Sequence, residues 1–496
     1  MLKNTLFCIL ALCFVTTAIG QNGNPSDYLS AQFHKERRQA FRALMPFNSV
    51  AVFFGNPVRN RANDVDYVYH QDPDFYYLTG YKEPNCVLVL FSGDQLSADG
   101  NKYNELIYVQ EKNPSEEQWT GIRLGIAGAK KDLGFSAAYN GEIFLKSGIN
   151  FSNFDSVLFK EFKEDNGDSA GRDKADLYKL IESFKAQIGY KTTVVSKSDS
   201  KGIGDVKSKS ITASKKENFN TNAIPSFMAS LREIKGTEEL KLLTKAVRIS
   251  AIAQREVMKA MHTGMSETEI QGIHEFVYRK YGSEFEGYPS IIGAGNNGCI
   301  LHYIENSKTK VENDLVLMDV GAEYHGYTAD VTRTIPANGK FTVEQKLIYD
   351  LVYEAQEAGI AASKVGVTFG SLDGIARQII NKGLLKLGIV KSEADGNQYF
   401  PHGLGHHIGL DVHDPGAYNA LESNMVITIE PGIYIPTGSN CDKKWWGIGV
   451  RIEDDILITP DGPLNLSAEA PRKWQEIEEL MKEKSVFSNY TVPNLD

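Results

Sequence analysis

Cysteine is scarce: the 496 residues hold five, and only Cys86, Cys299 and Cys441 lie beyond the N-terminal leader that carries Cys8 and Cys13. An odd number without zinc-type spacing excludes a disulfide framework, so the three are read as isolated thiols. A long apolar run is also missing at the N-terminus. The stretch Leu6 to Val15 is ten residues, about half of what a helix needs to cross a bilayer. Positive charge is in deficit, with 53 Lys and Arg against 63 Asp and Glu and a net charge of −10. That balance argues against nucleic acid or an anionic membrane as partner. There is no His-Glu-x-x-His zinc pattern, no homopolymer and no evident internal repeat.

What is present begins with the leader. Lys3, the apolar Leu6–Val15 stretch and Ala18-Ile-Gly20 before Gln21 have the form of a basic n-region, an h-region and a small-x-small cleavage site. Residues 1–20 are therefore read as a signal peptide, and the expected location is periplasmic or secreted, without stable membrane insertion. Cleavage would leave 52 basic against 63 acidic groups, a net charge of −11. The remaining composition, 42% hydrophobic and 23% charged, is that of a globular protein long enough for two domains, each with its own core.

The first domain, residues 21–225, reads as α/β. A helical pattern runs from about Leu29 to Arg42, and Val50–Phe54, Cys86–Phe91 and Leu106–Val109 read as strands bounded by turn residues. Lysine and serine dominate residues 191–217, which are expected to form a surface loop or insertion. The second domain, residues 226–475, turns helical near Phe227. Thr237 is placed as a helix cap ahead of Glu238, Glu239 and the stripe Leu242, Leu243, Ala246, Ile249. Residues 476–496 are read as a charged tail.

Chemistry concentrates in the second domain. Asp319 interrupts the apolar run Leu315-Val-Leu-Met-Asp-Val320, and Asp330 interrupts Tyr327-Thr-Ala-Asp-Val-Thr-Arg-Thr334. A carboxylate buried in a strand is costly unless it is paired or bound to a cation. Alternation puts Leu315, Leu317 and Asp319 on one face, Asp330 with Thr332 and Thr334, Val426 and Thr428 with Glu430, and Arg451 with Glu453. The opposite face is apolar through Val316, Met318, Val320, Ile427, Ile429, Val450 and Ile452. With His406, the four acids form a candidate two-metal hydrolase centre. Hard carboxylates, one imidazole and no thiolate suit Mn²⁺, Mg²⁺, Co²⁺ or Zn²⁺, and a charge of about −4 calls for two divalent ions. Gly403, Gly405 and Gly409, set among the histidines of Pro401–Gly409, are expected to let backbone approach a crowded site. His274 stands apart and is read as a structural histidine with its hydrogen bonds satisfied.

Several motifs in order resemble the metallopeptidases with the pita-bread fold: Gly298-Cys-Ile-Leu-His-Tyr303, Leu315–Gly321, His402–Asp414, Thr428-Ile-Glu-Pro-Gly-Ile-Tyr434 and Gly449-Val-Arg-Ile-Glu-Asp454. Gln71-Asp-Pro-Asp-Phe-Tyr-Tyr-Leu-Thr-Gly-Tyr-Lys-Glu-Pro-Asn85 is similar to the N-terminal domain of the aminopeptidase P family. The resemblance implies an N-terminal α/β domain followed by a pita-bread catalytic domain, α/β (α+β) in class. It also implies a pair of divalent ions, Mn²⁺ first among the candidates, and peptides with Xaa-Pro N-termini as substrates. Asp319 and Asp330 would bind one ion, with Asp330 bridging; Glu453 would bridge both, and His406 and Glu430 would complete the other. His302, His402 and His413 would line the substrate site, with Arg451 and Tyr434 as supports beside it. The implied reaction is attack on the first peptide bond by a hydroxide shared between the metals, with Glu430 handling its proton and His302 or His413 donating to the oxyanion. A prolidase restricted to dipeptides and a non-catalytic peptide-binding protein are the alternatives. Self-association as a homodimer or homotetramer is a further implication.

Overall fold

The computed structural model describes residues 25–97, 99–163, 174–196, 209–214 and 218–488. The leader read over residues 1–20 lies outside the described residues.

Alternating apolar residues build the first sheet. Ser49–Phe54 pairs antiparallel with Val87–Leu96 and parallel with Ser156–Phe159. Phe219–Asn220, Lys102–Val109 and Ala138–Asn140 complete a mixed sheet of six strands. Its two faces divide by parity: Val50, Val52, Val87, Val89 and Phe91 pack with Phe144, Phe151 and Phe184. Ala51, Phe53, Leu88 and Leu90 join the cluster containing Phe41 and Phe75. The helix Ala31–Leu44 covers that side, and Ser30 caps it by accepting from Phe33 N at 3.1 Å.

This second cluster continues without a break into the C-terminal half, through Leu242, Val316 and Ile427. The expected separate cores are therefore one shared core plus a smaller one beneath the outer face of the sheet. The helix Ala223–Arg232 straddles the expected boundary at 225/226. The helix Trp474–Leu480 straddles the boundary at 475, with Ile477 and Leu480 buried.

In the C-terminal half a helix pair followed by antiparallel strands occurs twice. Thr237–Ala260 and Glu267–Lys280 precede the sheet of Ile291–Ala294, Leu315–Val320 and Val331–Pro336. Val343–Ala362 and Phe369–Lys386 precede the sheet of Val426–Ile429, Asp454–Thr459 and Gly462–Asn465, accompanied by the pair Gly432–Ile435 and Ile448–Arg451. Gln254, on the first long helix, donates to Met318 O at 3.0 Å and Val331 O at 2.9 Å, which fixes the helix to the strand that carries Asp319 and to the one that starts after Asp330.

One local reading changes. Thr237 is the first helical residue rather than the cap; extended Gly236 takes that place, and Glu239 accepts its N–H at 2.7 Å. The Lys/Ser-rich stretch, read as a surface loop or insertion, contains paired strands, Lys191–Ser196 against Lys209–Ser214. Cys86, Cys299 and Cys441 are free thiols, as read.

Candidate metal centre

Only Asp319 lies inside a strand, where it pairs with Thr332 and shares the face of Leu315 and Leu317. Asp330 immediately precedes Val331–Pro336, Glu430 immediately follows Val426–Ile429, and Glu453 sits between Ile448–Arg451 and Asp454–Thr459. One acid is thus within a strand, close to its end, and the other three stand at strand ends. At the ends, where neighbouring sheets converge, their side chains reach one space without burying several charges along a single strand.

That space is a cavity of about 300 Å³. Asp319, Asp330, His406, Glu430 and Glu453 all line it, with His302, His402, His413 and Arg451. Donor atoms of Asp330, His406 and Glu453 lie within 4.8 Å of one another. Among its side chains beyond glycine, His302 and His413 are exposed. Tyr434 does not line the cavity; it acts from behind, taking a hydrogen bond from Arg451 Nη1 at 2.7 Å and meeting His402 Nε2 at 2.8 Å. The phenolic proton then points to His402 Nε2, while His402 Nδ1–H donates to Gly403 O at 2.8 Å. This tautomer is neutral. Burial, and then the nearby Arg451 charge, lower the His402 pKa to about 4.

His406 has the opposite setting. Its Nδ1–H donates to His407 O at 3.0 Å, which leaves Nε2 facing Asp330 Oδ2 and Glu430 Oε1, each at 3.5 Å. Burial opposes a charged ring here, but Asp330 and Glu430 outweigh it and raise the pKa to about 9. An imidazole whose backbone-bonded Nδ1 aims Nε2 at carboxylates is a ready metal ligand. The acids show the same charge crowding. Burial raises Glu430 to about 7, with Asp330 adding to the shift and His406 opposing it. Burial and the neighbouring carboxylates raise Glu453 far above the usual range and also raise Asp330. Asp319 alone is lowered: burial is overcome by Arg451, whose Nη2 donates to Oδ2 at 2.5 Å. Four carboxylates with one paired guanidinium leave negative charge that divalent cations would neutralise, and the hard oxygen donors with one nitrogen fit such ions.

Positioning is explicit. Thr332 Oγ1 donates to Glu453 Oε2 at 2.5 Å, and Glu453 N to Thr332 O at 3.1 Å. Fully buried Arg333 clamps the backbone next to it, donating to Glu453 O at 2.6 Å and to Asp454 Oδ1 at 2.7 Å. Thr428 Oγ1 takes His406 N at 3.1 Å. Gly405 is required for close approach, since a Cβ there would lie 1.9 Å from Thr428 O. At Gly409 a Cβ would come within 2.6 Å of Asp414 Oδ2, whereas Gly403 has nothing within 4 Å and its expected role is not borne out.

Sequence reasoning missed Tyr288. Its hydroxyl lies 2.6 Å from Asp319 Oδ1 and 2.5 Å from Asp330 Oδ1, so one phenol joins the two aspartates. A tyrosine in a loop carries no signal of that kind. Thr332 and Thr428 were legible only as neighbours sharing a face with acids.

The mixed α/β fold and this donor set define a metal-dependent hydrolase. Residues 241–460 match the metallopeptidase family M24, and residues 34–146 match the aminopeptidase P N-terminal domain. The chain is 34% identical over 469 residues to the Xaa-Pro aminopeptidase of Escherichia coli, covering 91% of this chain and 98% of that one. Human Xaa-Pro aminopeptidase 3 is 32% identical over 450 residues, covering 88% and 82%. The solved structure of aminopeptidase P from E. coli with the inhibitor Pro-Leu superposes with a TM-score of 0.76 at 33% identity, covering 92% and 99%. A Pseudomonas aeruginosa aminopeptidase gives 0.76 at 32% identity, covering 92% and 99%. The chain belongs to the aminopeptidase P family of pita-bread M24 metallopeptidases.

Proposed function

We propose that this protein is a dinuclear metal-dependent aminopeptidase that releases the N-terminal residue from peptides with proline in second position. The convergence of Asp330, His406 and Glu453 donor atoms within 4.8 Å is the observation that carries the reading. Asp319, Asp330, His406, Glu430 and Glu453 would together hold two divalent ions; Mn²⁺ is the proposed metal. Bound divalent ions supply Lewis acidity, which activates water at neutral pH and polarises the scissile carbonyl.

The chain's own groups divide the remaining work. Glu430 accepts the water proton and passes it to the departing nitrogen. That nitrogen, from proline, has no N–H in the substrate, so it must gain a proton to leave. Exposed His302 or His413 donates to the developing oxyanion. The chain Arg451–Tyr434–His402 keeps His402 neutral with its Nε2 occupied, so it serves as a fixed wall of the substrate site rather than a proton carrier. Arg451 also holds Asp319 ionised and in place.

The test is a peptide panel varying length and second residue, assayed with each candidate metal. Cleavage after the first residue of Xaa-Pro tripeptides and longer peptides, strongest with Mn²⁺, is expected. Cleavage of dipeptides alone would make the protein a prolidase, and binding without turnover would make it a non-catalytic binder. We propose export as well, on the leader of residues 1–20; N-terminal sequencing of protein recovered outside the cytoplasm should start at Gln21.

A further inference from the structure

His413 stands on a short segment whose two flanking acids are gripped by one buried arginine. Arg232 ends the helix Ala223–Arg232 and is 3% exposed. Its Nη2 donates to Asp411 Oδ2 at 2.8 Å and to Asp414 Oδ1 at 2.5 Å. Nη1 donates to Asp74 Oδ1 at 2.7 Å. Asp74 belongs to the helix Pro73–Thr79 of the N-terminal half, where Lys160 Nζ also holds it at 2.7 Å. The second oxygen of Asp414 takes Lys235 Nζ at 2.8 Å. The segment is tightened further by Asp411 N donating to Asp414 Oδ1 at 3.2 Å and Asp414 N to His407 O at 2.9 Å. Within it, the His413 ring packs edge-on against His406, with centroids 4.2 Å apart.

A buried ionic cluster of this kind is a weak source of stability, because desolvation offsets most of the attraction. Its geometric effect is stronger: a guanidinium fork fixes the carboxylates it bonds in direction as well as distance. Arg232 touches no ligand side chain of the proposed metal centre, but it joins the N-terminal half to the segment that carries a proposed oxyanion donor.

We propose that Arg232 is a positioning residue: by tying Asp74 to Asp411 and Asp414 it holds His413 at the metal centre, and so makes turnover depend on the docked N-terminal half. This rests on the role assigned above to His413. The test uses full-length, metal-loaded protein and the variants Arg232→Lys and Asp74→Asn, each alone and combined with His413→Ala. Arg232→Lys keeps the charge and loses the fork; it should lower kcat by about 10- to 100-fold, the scale of a misplaced catalytic group. KM should change less, and metal content should match wild type. Asp74→Asn should lower kcat in the same direction, and neither change should reduce kcat further once His413 is alanine.

Wild-type kcat in both single variants would overturn the proposal. So would losses that simply multiply in the His413→Ala background, or losses that track metal content. Should Arg232→Lys fail to fold, Asp411→Asn, on a half-exposed side chain, replaces it with the same expected cycle. Wild-type turnover by His413→Ala would overturn the His413 assignment and this proposal with it. A loss in His413→Ala with none in the Arg232 and Asp74 variants would overturn this proposal alone.

Discussion

Replacing Tyr288 with phenylalanine removes a single oxygen from the centre while keeping the ring. That oxygen is 2.6 Å from Asp319 and 2.5 Å from Asp330. Asp319 retains Arg451 at 2.5 Å, so its orientation should survive. Asp330 retains the longer contact to His406 at 3.5 Å, and is the proposed ligand set free. A hydrogen bond to a charged group is worth about 1.5–3 kcal/mol. A lost partner of a metal ligand typically weakens metal binding by about 10- to 100-fold, or about 1.4–2.7 kcal/mol. The two scales agree, and the predicted Mn²⁺ dissociation constant of Tyr288→Phe is about 10- to 100-fold above wild type. A competition titration with a chromophoric chelator measures it. Excess Mn²⁺ should restore most of kcat, because the hydroxyl is assigned to orienting ligands and not to the reacting atoms. An affinity within about twofold of wild type would refute the claim that this phenol orders the aspartates.

Other perturbations have equally definite outcomes. Glu453→Ala should lose metal retention and turnover together while remaining folded by circular dichroism; full turnover by folded protein would remove Glu453 from the ligand set. Arg333→Met takes from fully buried Asp454 the closer of its two guanidinium partners, leaving Arg472 Nε at 3.5 Å, and should cost about 3 kcal/mol in urea unfolding, with Arg333→Met/Asp454→Leu costing less. A loss under about 1 kcal/mol would contradict the pairing as described. Burial lowers His34 to about 4 and His274 to about 3, both from 6.5. The unfolded chain therefore takes up these protons first. Stability from them is complete above pH 6.5 and is lost as pH falls toward 4 and then 3, by up to about 1.4 kcal/mol per pH unit for each ring. In metal-free protein, His274→Phe should flatten the fall in unfolding free energy between neutral and acid pH, and an unchanged slope would exclude this cause.

Much of the framework was legible in residue order. Val50-Ala-Val-Phe-Phe54 alternates as a strand with both faces covered, and the structure divides its residues between two clusters by that parity. Asp319 stood out because an acid in an apolar strand needs a partner, and the cavity supplies several. Contacts made only by folding were not legible. Tyr288 meets acids 31 and 42 positions away, and Arg232 meets Asp74 at a separation of 158; neither pairing leaves a local pattern. His274 was read as hydrogen-bonded, yet neither ring nitrogen has a partner among the described residues, so burial alone governs it. The hairpin Lys191–Ser196/Lys209–Ser214 was hidden because lysine and serine mask the alternation that marks a strand, although Val194 pairs with Ile211.

Metal stoichiometry tests the central claim most directly. Metal-free protein titrated with Mn²⁺, with bound metal and Xaa-Pro peptide cleavage followed together, should bind two ions per chain and reach full activity only as the second binds. Saturation at one ion with full activity, or cleavage undiminished by complete chelation, would contradict a centre in which Asp319, Asp330, His406, Glu430 and Glu453 share a pair of cations.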